Sequence, residues 1–302
     1  MPAQRHEEEV PLWGGRLEPE LPRDRARTRR GLRLLWLYAC LLGEPWVKRA
    51  PRPVVQALLR GGAKIIARHL QLKLEMTGLG HIQLGERYVV APLHEGLLDP
   101  VALLHLPLPL RFAARDELFS WPLLGPVLRR TGQIELRPED GGRAYRDLLR
   151  GAREALEAGE SVVVFVQGTI LGIEADFTGG AFHLARALGR PLLPIALTGS
   201  HLVWEHPYAP TLRYGERISL KVLPPIPAET LRERDLDGVR IECRRAVKAA
   251  AQGARMAPAR SFVPSRDGYW DGYKYEIDPD FAELYKEIEA RRASMYGVEE
   301  TA

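Results

Sequence analysis

Cysteine is scarce in this chain of 302 residues, which contains only Cys40 and Cys243. Two cysteines provide neither a disulfide framework nor a Cys/His cluster with the spacing of a zinc site, so we expect no bound metal and a reducing compartment such as the cytoplasm. Long apolar runs are missing too. The longest, from Leu34 to Leu42, falls well short of the roughly 20 residues with which a helix crosses a bilayer, so no membrane-spanning helix is predicted.

Signal-peptide features and internal repeats are also absent from the sequence. The first residues are rich in Glu and Arg, contain prolines, and lack the basic start, the apolar stretch and the small-residue cleavage site of a secretory signal. No period recurs along the chain. Neither secretion nor a repeat architecture is therefore predicted.

The composition that is present is that of a globular protein. Hydrophobic residues make up 45% and charged residues 27% of the chain, which supports a buried core and excludes wholesale disorder. The formal net charge of +4 suits an anionic partner without identifying it. Between Arg23 and Arg33 six arginines accompany one aspartate; this segment is either a solvated arm or a contact to lipid headgroups or nucleic acid. We expect no nucleic-acid partner, because the arginines are followed by an apolar helix and the sequence contains no recognised nucleic-acid-binding module.

The chain divides into four parts by composition. Residues 1–24 are polar and contain prolines, which is typical of a loosely ordered arm. Residues 25–71 form a candidate helical hairpin, because prolines and a glycine near its middle separate two helical patterns. Residues 72–252 alternate short apolar strands with helices. A tail over residues 253–302 ends in a helix predicted around residues 281–292.

The second helix of the hairpin is amphipathic and basic. Its apolar residues recur at three- and four-residue steps beside a stripe formed by Arg60, Lys64 and Arg68. Such a helix either lies in the membrane interface, with its cations near anionic headgroups, or packs its apolar face on the protein core. Trp36 and Trp46 around the first helix favour the interface. The apolar positions of the second helix are Val55, Leu58, Leu59, Gly62, Ile66 and Leu70.

The alternation of strands and helices after the hairpin predicts an α/β fold. Branched and aromatic residues mark the strands, and a 3.6-residue period marks the helices. Strands are predicted over residues 87–91, 110–114, 161–166, 191–197 and 218–222, and helices over residues 142–158, 180–188 and 231–251.

A histidine and an aspartate five residues apart follow the first predicted strand of this domain. His94 is a candidate general base, because an imidazole can remove a proton from an attacking hydroxyl near neutral pH. Asp99 would orient the ring and stabilise the imidazolium. Asp99 precedes Pro100, however, and this pair is also typical of a helix start. No G-x-S-x-G elbow and no nucleophilic serine is evident beside the pair, which favours direct transfer to the acceptor.

Four motifs in order make the sequence similar to the glycerolipid acyltransferases, the family of lysophosphatidic acid and glycerol-3-phosphate acyltransferases. The resemblance covers roughly residues 72–223, and the order of the motifs is more specific than any one of them. The motifs are H-x-x-x-x-D at His94 to Asp99, a second block at Arg115 to Leu118 with Pro122 and Gly125, a block resembling F-P-E-G-T-R from Phe165, and a V-P-[IV]-like block at Leu193 to Leu197.

The resemblance implies an α/β fold, an acyl-CoA or acyl carrier protein donor and a glycerophosphate-type acceptor. It also implies that His94 is the base and that the N-terminal helices dock on a membrane. Arg115 and Arg137 would hold the acceptor phosphate, unless they are ordinary surface charges. The third block also contributes expected substrate contacts, through Gln167 and through the backbone amides of Gly168 and Thr169 near the developing oxyanion.

Several positions depart from the family pattern. Leu93 stands before the histidine in place of Asn, and Gly96 follows it in place of Ser. The third block has Gln167 and Ile170 where the family has Glu and Arg. An isoleucine cannot replace the forked donors of an arginine, which leaves open an acceptor without phosphate.

Together these patterns predict a single mixed-sheet acyltransferase domain flanked by helices and preceded by an amphipathic helical hairpin. The predicted activity is transfer of a fatty acyl group from a thioester donor to a lysophospholipid hydroxyl, with no resident cofactor. The open alternatives are a non-phosphate lipid acceptor and a noncatalytic membrane-binding relative. The expected location is the cytoplasmic face of a membrane, as a peripheral or monotopic protein.

Overall fold

A mixed sheet forms the centre of the protein, for which the computed structural model describes residues 10–11, 24–168, 175–204, 212–253, 261–262 and 278. The strands are β1 (Val10–Pro11), β2 (Lys73–Thr77), β3 (Val89–Pro92), β4 (Leu110–Arg115), β5 (Ile134–Leu136), β6 (Ser161–Val163), β7 (Leu192–Thr198), β8 (Arg217–Val222) and β9 (Ser261–Phe262). Seven of them make one sheet in the order β2-β8-β7-β3-β6-β4-β5. From β7 to β5 the strands are parallel, whereas β8 is antiparallel to β7 and parallel to β2. The short strands β1 and β9 pair with each other.

Helices cover both faces of the sheet. They are α1 (Asp24–Leu42), α2 (Arg52–His69), α3 (Asp99–Leu103), α4 (Asp116–Ser120), α5 (Leu124–Arg130), α6 (Gly142–Glu157), α7 (Gly180–Leu188), α8 (Ser200–Val203), α9 (Ala228–Glu233) and α10 (Leu236–Gly253). Side chains of α6, α7 and α10 form one hydrophobic core with the sheet, and those of α2 and α3 form the other. Successive residues of β3 alternate between the two, with Val89 and Ala91 in the first and Val90 in the second, as the period of a strand requires.

The hairpin helices differ in what they bury. Val55 and Gly62 of α2 and Leu70, which follows the helix, are buried. Leu59 and Ile66 pack against the core. The apolar face of the second helix therefore packs against the protein core. This is one of the two alternatives that the sequence left open, the other being a position in the membrane interface. On α1, by contrast, large apolar side chains are exposed. No helix within the described ranges is both long enough and apolar enough to cross a bilayer.

The predicted mixed sheet with flanking helices is confirmed. The five predicted strands correspond to β3, β4, β6, β7 and β8. Strands β2 and β5 are absent from the predicted strands. They lie at the two edges of the sheet, where side chains are only partly covered, and no long apolar run marks either of them. The helix predicted around residues 281–292 lies outside the described residues.

Candidate active site

The carboxyl ends of the five parallel strands meet at one edge of the sheet, and His94 lies at this edge, two residues after β3. Leu93 continues the strand ladder, since its amide donates to the carbonyl of Ile195 over 3.0 Å. The chain then turns into α3. A crevice outside the carboxyl ends of parallel strands is where α/β proteins bind their ligands.

Asp99 holds the imidazole of His94. Nδ1 of His94 lies 2.6 Å from Oδ2 of Asp99. The same oxygen accepts the backbone N–H groups of Glu95 over 2.7 Å and Gly96 over 3.1 Å. Because a carboxylate only accepts, Nδ1 carries the proton of this contact, and the lone pair of a neutral ring is on Nε2. Asp99 is fully buried, while the His94 side chain is 17% exposed.

Asp99 lies at a helix start, as the sequence indicated, but its side chain does not cap that helix. Asp99 is the first residue of α3 and Pro100 follows it, but no side chain caps the amides of this helix. Its carboxylate turns back instead to the loop that carries His94. The residue therefore serves the imidazole and the loop amides together.

Two more residues fix the ring of His94. The Phe165 ring stacks on it with a centroid distance of 3.8 Å and an interplanar angle of 20°. Oε1 of Gln167 accepts the backbone N–H of His94 over 2.8 Å. Both follow β6, which neighbours β3 in the sheet. Ring and backbone are thus held from the same neighbouring strand.

Ser200 and Glu95 belong to the site although no sequence pattern identified them. The Ser200 hydroxyl donates to Oδ1 of Asp99. A carboxylate oxygen of Glu95 accepts the amide of Gly199 over 2.8 Å. Gly199 has φ of 91°, a conformation that glycine adopts without strain. Two hydrogen bonds therefore connect the turn after β7 to the segment from His94 to Asp99. The one sequence feature that could have indicated these contacts is that both segments follow predicted strands, whose carboxyl ends meet at one sheet edge.

Arg115 is the last residue of β4 and Arg137 directly follows the neighbouring strand β5, at the same sheet edge. With a strand spacing of about 4.8 Å, they lie roughly 10 Å and 14 Å from the His94 strand. Arg115 Nε lies 3.9 Å from a Glu117 oxygen, and its side chain is 17% exposed. Arg137 is more exposed and pairs with Glu135 and Asp116. The hydrogen bond that Arg137 donates to the Glu135 carboxylate raises the pKa of Arg137 above its ordinary value.

The residues of the third block differ in burial and in backbone conformation. Gln167 is fully buried, and besides its contact to His94 it donates to the Ala175 carbonyl over 3.3 Å. Gly168 has φ of 66°, and its amide donates to the Phe165 carbonyl over 3.4 Å. Thr169 and Ile170 lie outside the described residues. In the part of the chain that is described, no group of three His, Cys, Asp or Glu residues could hold a metal ion.

Comparison with known proteins finds a family model that matches the part of the chain containing this edge. Residues 73–198 match the family model described as Acyltransferase. A 1-acyl-sn-glycerol-3-phosphate acyltransferase of Limnanthes alba is 28% identical over 159 residues, which cover 51% of this chain and 55% of that protein. The 1-acyl-sn-glycerol-3-phosphate acyltransferase alpha of Bos taurus is 29% identical over 171 residues, or 55% of this chain and 58% of that protein. The chain thus spans about half the length of these curated relatives.

A solved structure resembles the fold. The crystal structure of the 1-acyl-sn-glycerophosphate (LPA) acyltransferase PlsC from Thermotoga maritima matches with a TM-score of 0.59 and 21% sequence identity. The match covers 76% of this chain and 99% of that one. It extends the similarity in architecture beyond the residues that the family model covers.

Proposed function

We propose that this chain, whose residues 73–198 match the family model described as Acyltransferase, moves a fatty acyl group from a thioester donor to the hydroxyl of a lysophospholipid such as 1-acylglycerol 3-phosphate. The observation that carries this proposal is the partly exposed imidazole of His94, held through Nδ1 by the buried carboxylate of Asp99. The relatives named 1-acyl-sn-glycerol-3-phosphate acyltransferases support the choice of acceptor.

The chemistry follows from the orientation of the ring. Nε2 of His94 removes the proton of the acceptor hydroxyl while the hydroxyl oxygen attacks the thioester carbonyl. Asp99 stabilises the imidazolium that forms. The carbon–sulfur bond of the tetrahedral intermediate then breaks, and the imidazolium returns its proton to the departing thiolate. An ester and a free thiol result, and no resident cofactor enters the reaction.

The product tests the activity directly. Purified protein with an acyl-CoA or an acyl carrier protein thioester is offered a mixture of lipid acceptors, and the acylated products are identified by mass spectrometry. Acylation of 1-acylglycerol 3-phosphate is the expected result. Preference for a lipid alcohol without phosphate would favour the second candidate acceptor, which Gln167 and Ile170 motivate. No transfer to any acceptor from either donor would favour a noncatalytic membrane-binding relative.

Arg115 is the arginine we propose for the acceptor phosphate, because it is less exposed than Arg137 and nearer in strand order to His94. Loss of a charge-assisted hydrogen bond costs about 1.5–3 kcal/mol. We therefore expect Arg115→Ala to raise KM for a phosphate-bearing acceptor about 10- to 100-fold, with a smaller effect on a monoacylglycerol. The control is Arg143→Ala, which removes an exposed arginine of α6. Equal losses on both acceptors would contradict a phosphate contact.

The proposed location is a membrane surface on the cytoplasmic side, with α1 as the docking surface. This surface combines exposed large apolar side chains with arginines of the same helix, as an interfacial helix does. Its apolar members are Leu32, Leu34, Trp36, Leu37, Leu41 and the following Trp46. Docking there would present the lipid acceptor to the catalytic domain without extraction into water.

A thiol probe can report this docking. Cys40 is exposed on α1, whereas burial raises the pKa of the Cys243 thiol to about 12 and leaves almost no reactive thiolate. We expect a polarity-sensitive maleimide to label Cys40 alone in the folded protein, and its emission to shift to the blue with anionic phospholipid vesicles. In a control protein with Cys40→Ser and Arg153→Cys, the probe sits on α6 and should not shift. A shift in the control alone would place the docking surface elsewhere.

A further inference from the structure

The turn after β7 carries a buried serine that contacts the carboxylate partner of His94. Ser200 is the first residue of α8, and both Ser200 and Asp99 are fully buried. A serine at a helix start commonly caps the amides of that helix, but the Ser200 hydroxyl donates to Oδ1 of Asp99. This hydroxyl therefore connects two segments of the site, and the mechanism described above does not use it.

The two oxygens of the Asp99 carboxylate have different partners. Oδ2 accepts three donors, which are Nδ1 of His94 at 2.6 Å and the amides of Glu95 at 2.7 Å and Gly96 at 3.1 Å. Oδ1 accepts the hydroxyl of Ser200. The last torsion of an aspartate side chain has a broad, shallow energy profile, so the plane of the carboxylate depends on what each oxygen binds. The Ser200 hydrogen bond therefore fixes the rotation of this group.

The backbone that carries Ser200 is closely confined. The amide of the preceding Gly199 donates to the Glu95 carboxylate over 2.8 Å. Gly199 has φ of 91°, and a side-chain carbon at this position would collide with the carbonyl oxygen of Arg217 in β8. Glycine alone fits such a close approach of two backbones. The Ser200 hydroxyl is thus presented to Asp99 from a turn that packs directly against the sheet.

We propose that Ser200 is a positioning residue for acyl transfer, whose hydroxyl fixes the carboxylate plane of Asp99 and thereby the hydrogen bond between Oδ2 and Nδ1 of His94. The inference rests on the proposed function. Without the hydroxyl, a buried carboxylate oxygen loses its donor, which is strongly unfavourable, and the carboxylate rotates toward another donor. This rotation moves Oδ2 from its place against Nδ1. Ser200 touches no reacting atom and acts through Asp99.

The first test is Ser200→Ala in the full chain, which removes the hydroxyl and adds no bulk. A misplacement of catalytic groups by about 1 Å costs up to about a hundredfold in rate, so kcat should fall roughly 10- to 100-fold, with KM for donor and acceptor within about twofold of wild type. If the variant keeps more than about half of the wild-type kcat, the inference is overturned. Should Ser200→Ala not fold, Ser200→Cys replaces it, because a thiol fills the space and is a weak donor.

The matched control is Ser161→Ala. It also removes the hydroxyl of a fully buried serine, which accepts the Tyr88 amide over 3.1 Å. Ser161 begins β6 and so lies at the end of the sheet away from His94. Both variants should lower the Tm, but Ser161→Ala should leave kcat unchanged well below that temperature. Equal losses of kcat in the two variants would mean that Ser200 stabilises the fold and positions nothing.

A double-mutant cycle tests whether Ser200 acts through Asp99. In an Asp99→Asn background the orienting charge is already lost, so adding Ser200→Ala should lower kcat by less than about twofold, whereas the losses of two independent sites multiply. If Ser200→Ala costs the same factor in both backgrounds, the hydroxyl acts by another route and the inference is overturned.

The tautomer of His94 gives a readout that needs no substrate. Which ring nitrogen carries the proton is set by the hydrogen bond that the other one makes. In nitrogen-resolved spectra of histidine-labelled protein, Ser200→Ala should increase the share of neutral rings protonated on Nε2, and Ser161→Ala should not. An unchanged His94 signal in Ser200→Ala overturns the inference, whatever the activity. A wild-type protein without acyl transfer would instead reject the proposed function, while the spectra still decide whether Ser200 positions the ring.

Discussion

Replacing His94 with alanine should lower kcat for acyl transfer by about a thousandfold or more, because a positioned general base contributes about 10²- to 10⁴-fold to the rate. The substitution removes Nε2, the only atom of the site placed to take the hydroxyl proton in the proposed mechanism. The Asp99 carboxylate keeps its contacts to the amides of Glu95 and Gly96 and to Ser200. We therefore expect a folded protein that still binds vesicles. The measurement is steady-state thiol release from acyl-CoA with a lysophospholipid acceptor.

The control for this variant is His183→Ala. His183 lies on the exposed side of α7, where its Nδ1 lies 3.5 Å from a guanidinium nitrogen of Arg186. Its removal should leave kcat unchanged. If the His94→Ala variant keeps more than about a tenth of the wild-type kcat, another group removes the proton.

Asp99→Asn should lower kcat about 10²- to 10⁴-fold with little change in KM, since an equivalent loss of the orienting carboxylate has effects of this size in serine hydrolases. The asparagine oxygen can still accept the loop amides of Glu95 and Gly96, so the loop keeps its shape. What is lost is the negative charge that stabilises the imidazolium. Circular dichroism and the Tm should stay near the wild-type values.

The matched control for Asp99→Asn is Asp147→Asn on α6. Asp147 pairs with Arg143 and Arg150 on the helix surface, so its loss should be nearly silent in rate and stability. If Asp99→Asn instead unfolds the protein while its residual folded fraction turns over normally, Asp99 acts as a structural residue and not as the partner of the imidazole.

Five of the seven strands of the large sheet and the His94–Asp99 pair were predictable because their signals are local. Short apolar runs mark β3, β6 and β7, and the two partners of the pair are five residues apart. The predicted strand over residues 161–166 continues past β6, which ends at Val163. Beyond Val163 the amide of Val164 still donates to the Val90 carbonyl over 2.9 Å, and the Phe165 ring stacks on that of His94.

The other parts of the site depend on contacts between distant segments. Ser200 meets Asp99 across 101 positions and Glu95 meets Gly199 across 104, and no local pattern marks either pair. The helical pattern of α2 is the same whether its apolar face meets lipid or protein, so only the tertiary structure distinguishes the two. Gln167 shows a further limit. Its motif position predicts a substrate contact, which stays a prediction, and no motif indicated that its amide also bridges the His94 backbone and Ala175.

The proton position on His94 is the most direct test of the proposed mechanism. Long-range ¹H–¹⁵N correlation spectra of ¹⁵N-histidine-labelled protein distinguish the two tautomers, and a His94→Gln variant assigns the signal among the eight histidines. At a pH at which the ring is neutral, we expect the proton on Nδ1, toward Asp99, and a bare Nε2. A neutral ring protonated on Nε2 would contradict the mechanism, because that nitrogen could then not remove the proton of the acceptor hydroxyl.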